Sequence, residues 1–82
     1  MALIQLPAYP PTWVDPAQAN TVRVLLNDDG EPSGVAVHFL EHAVAVTPLK
    51  GETAIGTAEQ IAAMINAARN RVSATVGGRD DR

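Results

Sequence analysis

Residues 35–47, VAVHFLEHAVAVT, alternate large and small side chains, and this alternation constrains the fold more than any other feature of the chain. Side chains of a strand point to opposite faces with a period of two, and opposed residues of an antiparallel pair share a face. If the segment folds back at Glu41 and His42, its large apolar residues sort onto one face. The pattern predicts a β-hairpin. A longer loop or an uninterrupted strand is also compatible, because Glu-His is not a pair that tight primed turns favour.

The two faces of this predicted hairpin differ in size and polarity. One face holds four valines and Phe39 and is expected to face the core. The second face is apolar enough that leaving it in water exposes a continuous patch, and such patches usually mark an interface. We therefore predict an interface made of Ala36, His38, Leu40, Ala43 and Ala45, with Tyr9 and Trp13 beside them.

Prolines dominate residues 7–13, PAYPPTW, which contain three of them. Proline fixes φ and lacks a backbone donor, so the segment is expected to be a rigid, extended connector. In that arrangement Tyr9 and Trp13 cover an open end of the core. The spacing of Pro7 and Pro10 is also typical of segments that SH3-type grooves bind, although this pattern has little specificity.

Three further strands are predicted from short alternating or β-branched runs. They are residues 2–6, a short strand within TWVDPAQAN (residues 12–20) that is followed by a turn at Asp15 and Pro16, and residues 21–26. Residues 27–34, NDDGEPSG, are dense in turn formers and predict a loop. This loop would join the third of these strands to the hairpin.

A helix is predicted over residues 57–72. Thr57 and Gln60 have the spacing of a capping box, Glu59 suits the positive end of the helix dipole, and basic residues near the other end suit its negative end. The segment before it, residues 48–56, is expected to be irregular, with a short extended piece at residues 53–55. The apolar stripe at helical spacing consists of Ala58, Ile61, Ala62, Ile65, Ala68 and Val72.

These elements predict an α+β fold in one small domain, residues 1–72, followed by a flexible tail, residues 73–82. We expect a small, curled antiparallel sheet of four to five strands, shaped like an open barrel, with the C-terminal helix packed on one face or one open end. A chain of 82 residues builds a core that is only marginally sufficient, and oligomerisation is a common remedy.

The letters HFLEH, residues 38–42, match the H-x-x-E-H signature of one class of zinc peptidases. That motif needs a helix, where residues four apart lie on the same side. On one strand His38 and His42 would be about 13 Å apart, and in a tight hairpin only His38 points to a face. Neither arrangement makes a zinc site, and no other catalytic motif is present. We therefore expect no enzyme, no metal and no cofactor.

The net charge of −3 argues against tight nucleic-acid binding, which usually needs a concentrated basic face. The alternative is a small regulator that pools Arg23, Arg69 and Arg71 by oligomerisation. Cysteine is absent, so there is neither a disulfide nor a thiolate site. The N-terminus lacks the basic and apolar regions of a signal peptide, and no apolar run reaches the roughly 20 residues that span a bilayer. These features predict a cytoplasmic protein without membrane contact.

The order of elements resembles that of small flagellar FlbD-like proteins, and of short uncharacterised proteins encoded by actinobacteria and their phages. The resemblance rests on the M-x-L-I-x-L start at residues 1–6, the W-V-D-P-A-Q turn at 13–18, the hairpin, and the closing T-A-E-Q-I-A-A-M-I helix. It implies a small curled sheet with one helix and no catalysis. The expected function is that of a non-enzymatic accessory protein, phage-encoded or actinobacterial, that assembles with itself or binds a host protein.

Overall fold

Two antiparallel sheets and a C-terminal helix form the described part of the chain, which is residues 3–77 of a computed structural model, with side chains for residues 3–70. The elements are β1 (Ile4–Gln5), β2 (Ala8–Tyr9), β3 (Trp13–Val14), β4 (Thr21–Leu26), β5 (Pro32–His38), β6 (Ala43–Pro48) and α1 (Ala54–Gly77). β1 and β3 form a two-stranded sheet, and the other strands form a sheet in the order β2-β6-β5-β4. The α+β class is confirmed, and neither sheet closes into a barrel.

The hairpin of β5 and β6 has the predicted faces but a different register. Val37 lies opposite Val44, whereas a turn at Glu41 and His42 would have placed it opposite Val46. The tip is therefore at Leu40 and Glu41, and the predicted turn position was wrong. The residues of each face are still those predicted, because a register shift of two residues leaves every side chain on its face, whereas a shift of one would have moved it to the other face.

The position of the tip follows from contacts on both sides of it. Phe39 donates its backbone N–H to the carbonyl of His42 at 2.7 Å, and the rings of these two residues stack with centroids 4.8 Å apart. Primed two-residue turns need positive φ, and no non-glycine residue of the described chain has it. The chain therefore turns through Leu40 and Glu41 without a primed turn.

The loop between β4 and β5 is shorter than predicted. The side-chain oxygen of Asn27 accepts the N–H groups of Asp29 and Glu31, and Gly30 supplies the positive φ of 80° that the turn needs. The chain is extended again from Pro32, so residues 32–34 belong to β5 rather than to the loop. This extension places Gly34 opposite Leu25 in the sheet.

The helix begins three residues before its predicted start. Thr53 caps it, because its Oγ1 accepts the N–H of Gly56 at 3.0 Å, whereas Thr57 is buried inside the helix with 1% of its surface exposed. The predicted capping box and the extended piece at residues 53–55 are therefore wrong. The predicted dipole contacts fail as well, because the first turn holds no acidic residue and the last turn no basic one.

Removing the cap at Thr53 is expected to destabilise the fold. Thr53→Ala leaves the N–H of Gly56 without its partner and should lower the free energy of unfolding by about 1 kcal/mol. Thr53→Ser keeps a capping hydroxyl and serves as the control, so it should stay close to wild type. Urea denaturation followed by circular dichroism measures both. Equal stability of the alanine and serine variants would contradict the assignment of Thr53 as the cap.

The core lies between α1 and the valine-rich face of the larger sheet. Val35, Val37 and Ile61 are 0% exposed, and Ile65 is 4% exposed. The predicted stripe of the helix is largely confirmed, since Ala58, Ile61, Ile65 and Ala68 are buried and Ala62 is half-buried. The side chain of Val72 lies outside the described residues. The helix continues to Gly77, beyond its predicted end, and residues 78–82 lie outside the described part, so the flexible tail stays a prediction.

The proline-rich segment contributes more regular structure than predicted. Ala8 and Tyr9 pair with Pro48 and Thr47 of β6, so the expected connector contains a strand. Tyr9 and Trp13 are 63% and 55% exposed and do not cover the core; Leu6 and Val14 fill it instead. The short strand predicted before this turn is confirmed and consists of Trp13 and Val14. The turn is confirmed as well, because the N–H of Gln18 bonds to the carbonyl of Asp15.

In the described part of the chain, the helix is not long and apolar enough to cross a bilayer.

Candidate functional site

The side of the larger sheet that faces away from the helix forms a continuous surface, which we call the outer face. It consists of the odd-numbered residues of β4 and β6, the even-numbered residues of β5 from Gly34 to His38, and Tyr9 of β2. The register brings these positions together in rows. One row is Thr21, His38 and Ala43, and the next is Arg23, Ala36 and Ala45. The valines on the other side of the same strands are held in the core.

Most of the predicted interface residues lie on or beside this outer face. Ala43 and Ala45 are exposed on β6, and Leu40 projects from the hairpin tip with 85% of its surface exposed. Tyr9 joins them because it lies opposite Thr47, whose Oγ1 donates to the Tyr9 carbonyl at 3.1 Å. These residues present apolar surface to solvent.

Three of the predicted residues behave differently. Ala36 is only 5% exposed, because it lies in the central strand between Arg23 and Ala45. His38 is half-buried at the end of β5. Trp13 is exposed but belongs to the two-stranded sheet, where it lies opposite Gln5, so the fold does not place it on the outer face.

A groove of about 440 Å³ crosses the outer face above Gly34. A Cβ added to Gly34 would lie 3.1 Å from the carbonyl oxygen of Val46, which is a tight contact, and 3.6 Å from Cδ1 of Leu25, which is an ordinary one. A side chain here would therefore crowd the Val46 carbonyl and fill the floor of the groove. The two ends of the groove are formed by Tyr9 and Leu25. The remaining lining is Pro10, Ser33, Ala45, Val46 and Thr47.

Sequence reasoning missed the residues that give this groove its shape. Leu25 was assigned to a strand without a role, and Gly34 was placed in a loop. The signal was present, because Gly34 continues the alternation that runs through Ala36 and His38. Residues 27–34 are rich in turn-forming residues, so all of them were assigned to a loop. In the structure only the residues around the Asn27 turn form it, and Gly34 belongs to β5.

The HFLEH segment folds as a turn and not as a helix. His38 closes β5, and His42 precedes β6 with its ring stacked on Phe39 at an interplanar angle of 13°. In the part of the chain that the structure describes, no group of three or more histidine, aspartate or glutamate side chains is placed to hold a metal ion. The HFLEH segment therefore forms the tip of the hairpin, where the rings of Phe39 and His42 stack across the turn.

The arginines of the nucleic-acid alternative lie on different surfaces. Arg23 belongs to the outer face, whereas Arg69 is on the helix, which packs on the opposite face of the sheet. Nη1 of Arg69 donates to the carbonyl of Ala19 at 3.2 Å, which holds the guanidinium beside the start of β4. The side chain of Arg71 lies outside the described residues. A single copy of the chain does not bring Arg23 and Arg69 into one basic patch.

A second, smaller cleft lies where Arg69 meets the sheet. It has a volume of about 230 Å³ and is bordered by α1 on one side and by the first residues of β4 on the other. Its walls combine apolar groups, such as Val22 and Ile65, with the amides of Asn20 and Asn66. The cleft and the outer-face groove are both concave surfaces of the described residues that can hold part of another molecule.

Comparison with known proteins adds no template for the cleft or the groove, and the resemblance to FlbD-like proteins stays a prediction. No protein-family model, curated protein or solved structure matches the chain.

Proposed function

We propose that this protein is non-enzymatic and acts through protein–protein contacts made by the outer face, by self-assembly or by binding a host protein. The observation that carries the proposal is the exposure of apolar side chains there. Leu40 and Tyr9 are 85% and 63% exposed, and a groove of about 440 Å³ lies between Tyr9 and Leu25. Large apolar side chains exposed on one side of a sheet, beside a groove, are typical of interfaces.

A second copy of the chain is the partner that the proposal favours. The domain has 82 residues, a size at which burying further apolar surface by association adds usefully to a small core. The centre of the outer face is built from Gly34, Ala36 and Ala45, whose small side chains let another sheet approach closely. Arg23 lies on the edge strand β4, so two copies that meet over β5 and β6 leave this charge at the rim of the contact.

The rival functions have less support. A nucleic-acid regulator would have to collect Arg23 and Arg69 from different surfaces of different copies. A metal-dependent hydrolase would have to use His38 and His42, which are separated by the hairpin tip and of which His42 is stacked on Phe39. We therefore favour association with a second copy or with a host protein as the function, and nucleic-acid binding as the alternative.

Leu40→Asp is expected to disrupt association while the fold persists. Leu40 is 85% exposed at the hairpin tip, so a carboxylate there stays hydrated in the free protein but would be desolvated in an apolar contact. Multi-angle light scattering should give a wild-type mass above that of one chain, and the mass of one chain for the variant.

The matched control is Ile55→Asp. Ile55 is 51% exposed on α1, which packs on the side of the sheet opposite the outer face, so this variant should keep the wild-type mass. Circular dichroism of both variants checks the fold. A Leu40→Asp variant that keeps the wild-type mass would show that the hairpin tip takes no part in association. A wild-type protein that is a strict monomer would rule out self-assembly and leave the outer face to another protein.

A further inference from the structure

The free edge of β4 offers backbone hydrogen-bonding groups to a further strand. Within residues 3–77, β5 is the strand paired with β4, and β4 forms one edge of the four-stranded sheet. The register is regular from Thr21 to Leu25 and shifts only between Leu25 and Leu26. The N–H and C=O groups that point away from β5 over this stretch are a template for an added strand.

The cleft beside Arg69 lies directly along the first part of this edge. Thr21 and Val22 of β4 form one wall, and Ala62, Ile65 and Asn66 of α1 form the other. Its volume of about 230 Å³ is below the roughly 300–1,000 Å³ of sites for drug-sized ligands and cofactors. A cleft of this size suits one or two amino-acid side chains or the end of a peptide.

The charge of the cleft indicates which end of a peptide it favours. The guanidinium of Arg69 uses one N–H on the carbonyl of Ala19, and the amides of Asn20 and Asn66 lie on the same cleft. Among the described residues, no carboxylate lines it. Arginine binds carboxylates through paired N–H donors, so this corner provides a cation and two amides for a carboxylate brought by another molecule.

Strand direction brings the carboxylate to the right place. Every pair in both sheets is antiparallel, and antiparallel pairing is slightly more stable per residue than parallel pairing. A peptide antiparallel to β4 ends where β4 begins, at Thr21. Its terminal carboxylate then lies beside Asn20 and Arg69, and alternate side chains point into the cleft against Val22 and Ile65.

We propose that the edge of β4 and the Arg69 cleft bind the free C-terminus of an extended peptide by antiparallel strand addition. The side chains that enter the cleft are small or medium-sized and apolar, and the terminal carboxylate is held by Arg69. This site goes beyond the proposed function and is independent of it. An added strand lies in the plane of the sheet, so the outer face stays open to a second copy.

A soluble library of N-acetylated random heptapeptides with free C-terminal carboxylates is the probe for this site. Selection on the full-length protein should enrich peptides with an apolar penultimate residue, because that residue lies opposite Val22 and its side chain enters the cleft. Remaking the enriched peptides as C-terminal amides should weaken binding at least about tenfold, because a charge-assisted hydrogen-bonded pair is lost. Fluorescence anisotropy measures both forms on the wild-type protein.

Variants of the protein separate this site from other surfaces. Arg69→Gln should weaken the carboxylate form about tenfold and leave the amide form nearly unchanged, and Arg69→Lys should recover part of the loss. Arg23→Gln removes an arginine from the outer face and serves as the matched control, with unchanged affinity expected. In NMR spectra, amides of β4 and of the facing part of α1 should shift on binding.

Several results would overturn the proposal. These are a selection that enriches no peptide, equal binding of acids and amides, and equal effects of Arg69→Gln and Arg23→Gln. A dimer whose two copies pair through β4 would also overturn it, because that edge would then be occupied. The comparison of acid and amide uses the wild-type protein, so the test stands even if Arg69→Gln fails to fold.

Discussion

Ile61→Ala is expected to lower the free energy of unfolding by about 2–5 kcal/mol. Ile61 is 0% exposed and lies in the stripe of α1 that packs on the valines of β5. Truncation removes apolar atoms from the core and leaves a cavity that the surrounding side chains fill only in part. A chain of 82 residues has a total stability of about 4–12 kcal/mol, so the loss is a large fraction of it.

The same substitution at an exposed site of the same helix is the control. Ile55 is 51% exposed in the first turn of α1, and Ile55→Ala should change stability by no more than about 0.5 kcal/mol. Urea denaturation of wild type and both variants measures the difference. If the two variants lost the same stability, α1 would not be packed on the sheet through Ile61.

Thr57→Val is expected to raise the free energy of unfolding by about 1–3 kcal/mol. Oγ1 of Thr57 is buried without a hydrogen-bond partner, and the residue is only 1% exposed. Desolvating a hydroxyl that finds no partner costs free energy on folding, and valine of nearly the same shape removes that cost. The backbone N–H of Thr57 still bonds to the carbonyl of Thr53, so the helix is not disturbed.

Thr12→Val provides the comparison for Thr57→Val. Oγ1 of Thr12 donates to the carbonyl of Pro10 at 2.8 Å, so this substitution removes a hydrogen bond and should not stabilise the protein. Thermal unfolding followed by calorimetry measures both variants. A Thr57→Val protein that melts at or below the wild-type temperature would mean that the hydroxyl is satisfied in solution, for example by a buried water.

The faces of the hairpin could be predicted from the sequence, but its register could not. Alternation assigns Val35, Val37, Val44 and Val46 to one side whatever the turn, because registers that differ by two residues share the same faces. The turn itself depends on the Phe39–His42 stack, a contact between side chains that alternation does not encode. The alternation therefore predicts which residues face the core, but it does not predict which residues form the turn.

The start of the helix shows a second limit. Thr57 and Gln60 have the spacing of a cap, yet burial continues to Ala54 with the same helical period, and Thr53 caps the helix instead. Two threonines four residues apart offer the same local signal. Packing against the sheet decides between them, because a cap at Thr57 would leave Ala54 outside the core.

The candidate site was predicted in part for the same reason. Alternation alone predicts the side on which Ala43 and Ala45 lie, and both are exposed there. Leu40 is also exposed, but it lies in the turn and not in the strand where the predicted register put it. The groove between Tyr9 and Leu25 depends on pairing between β2 and β6, which are far apart in the chain. Pairing over such distances has no signature within a short stretch of sequence.

The central claim is that copies of this chain meet through the outer face. A dilution series of the ¹⁵N-labelled wild-type protein, followed by NMR, tests it most directly. The account predicts concentration-dependent shifts at Tyr9 and in β5, β6 and the hairpin tip, with the amides of α1 around Ile61 unchanged. Shifts confined to α1, or spectra that do not change with concentration, would contradict it.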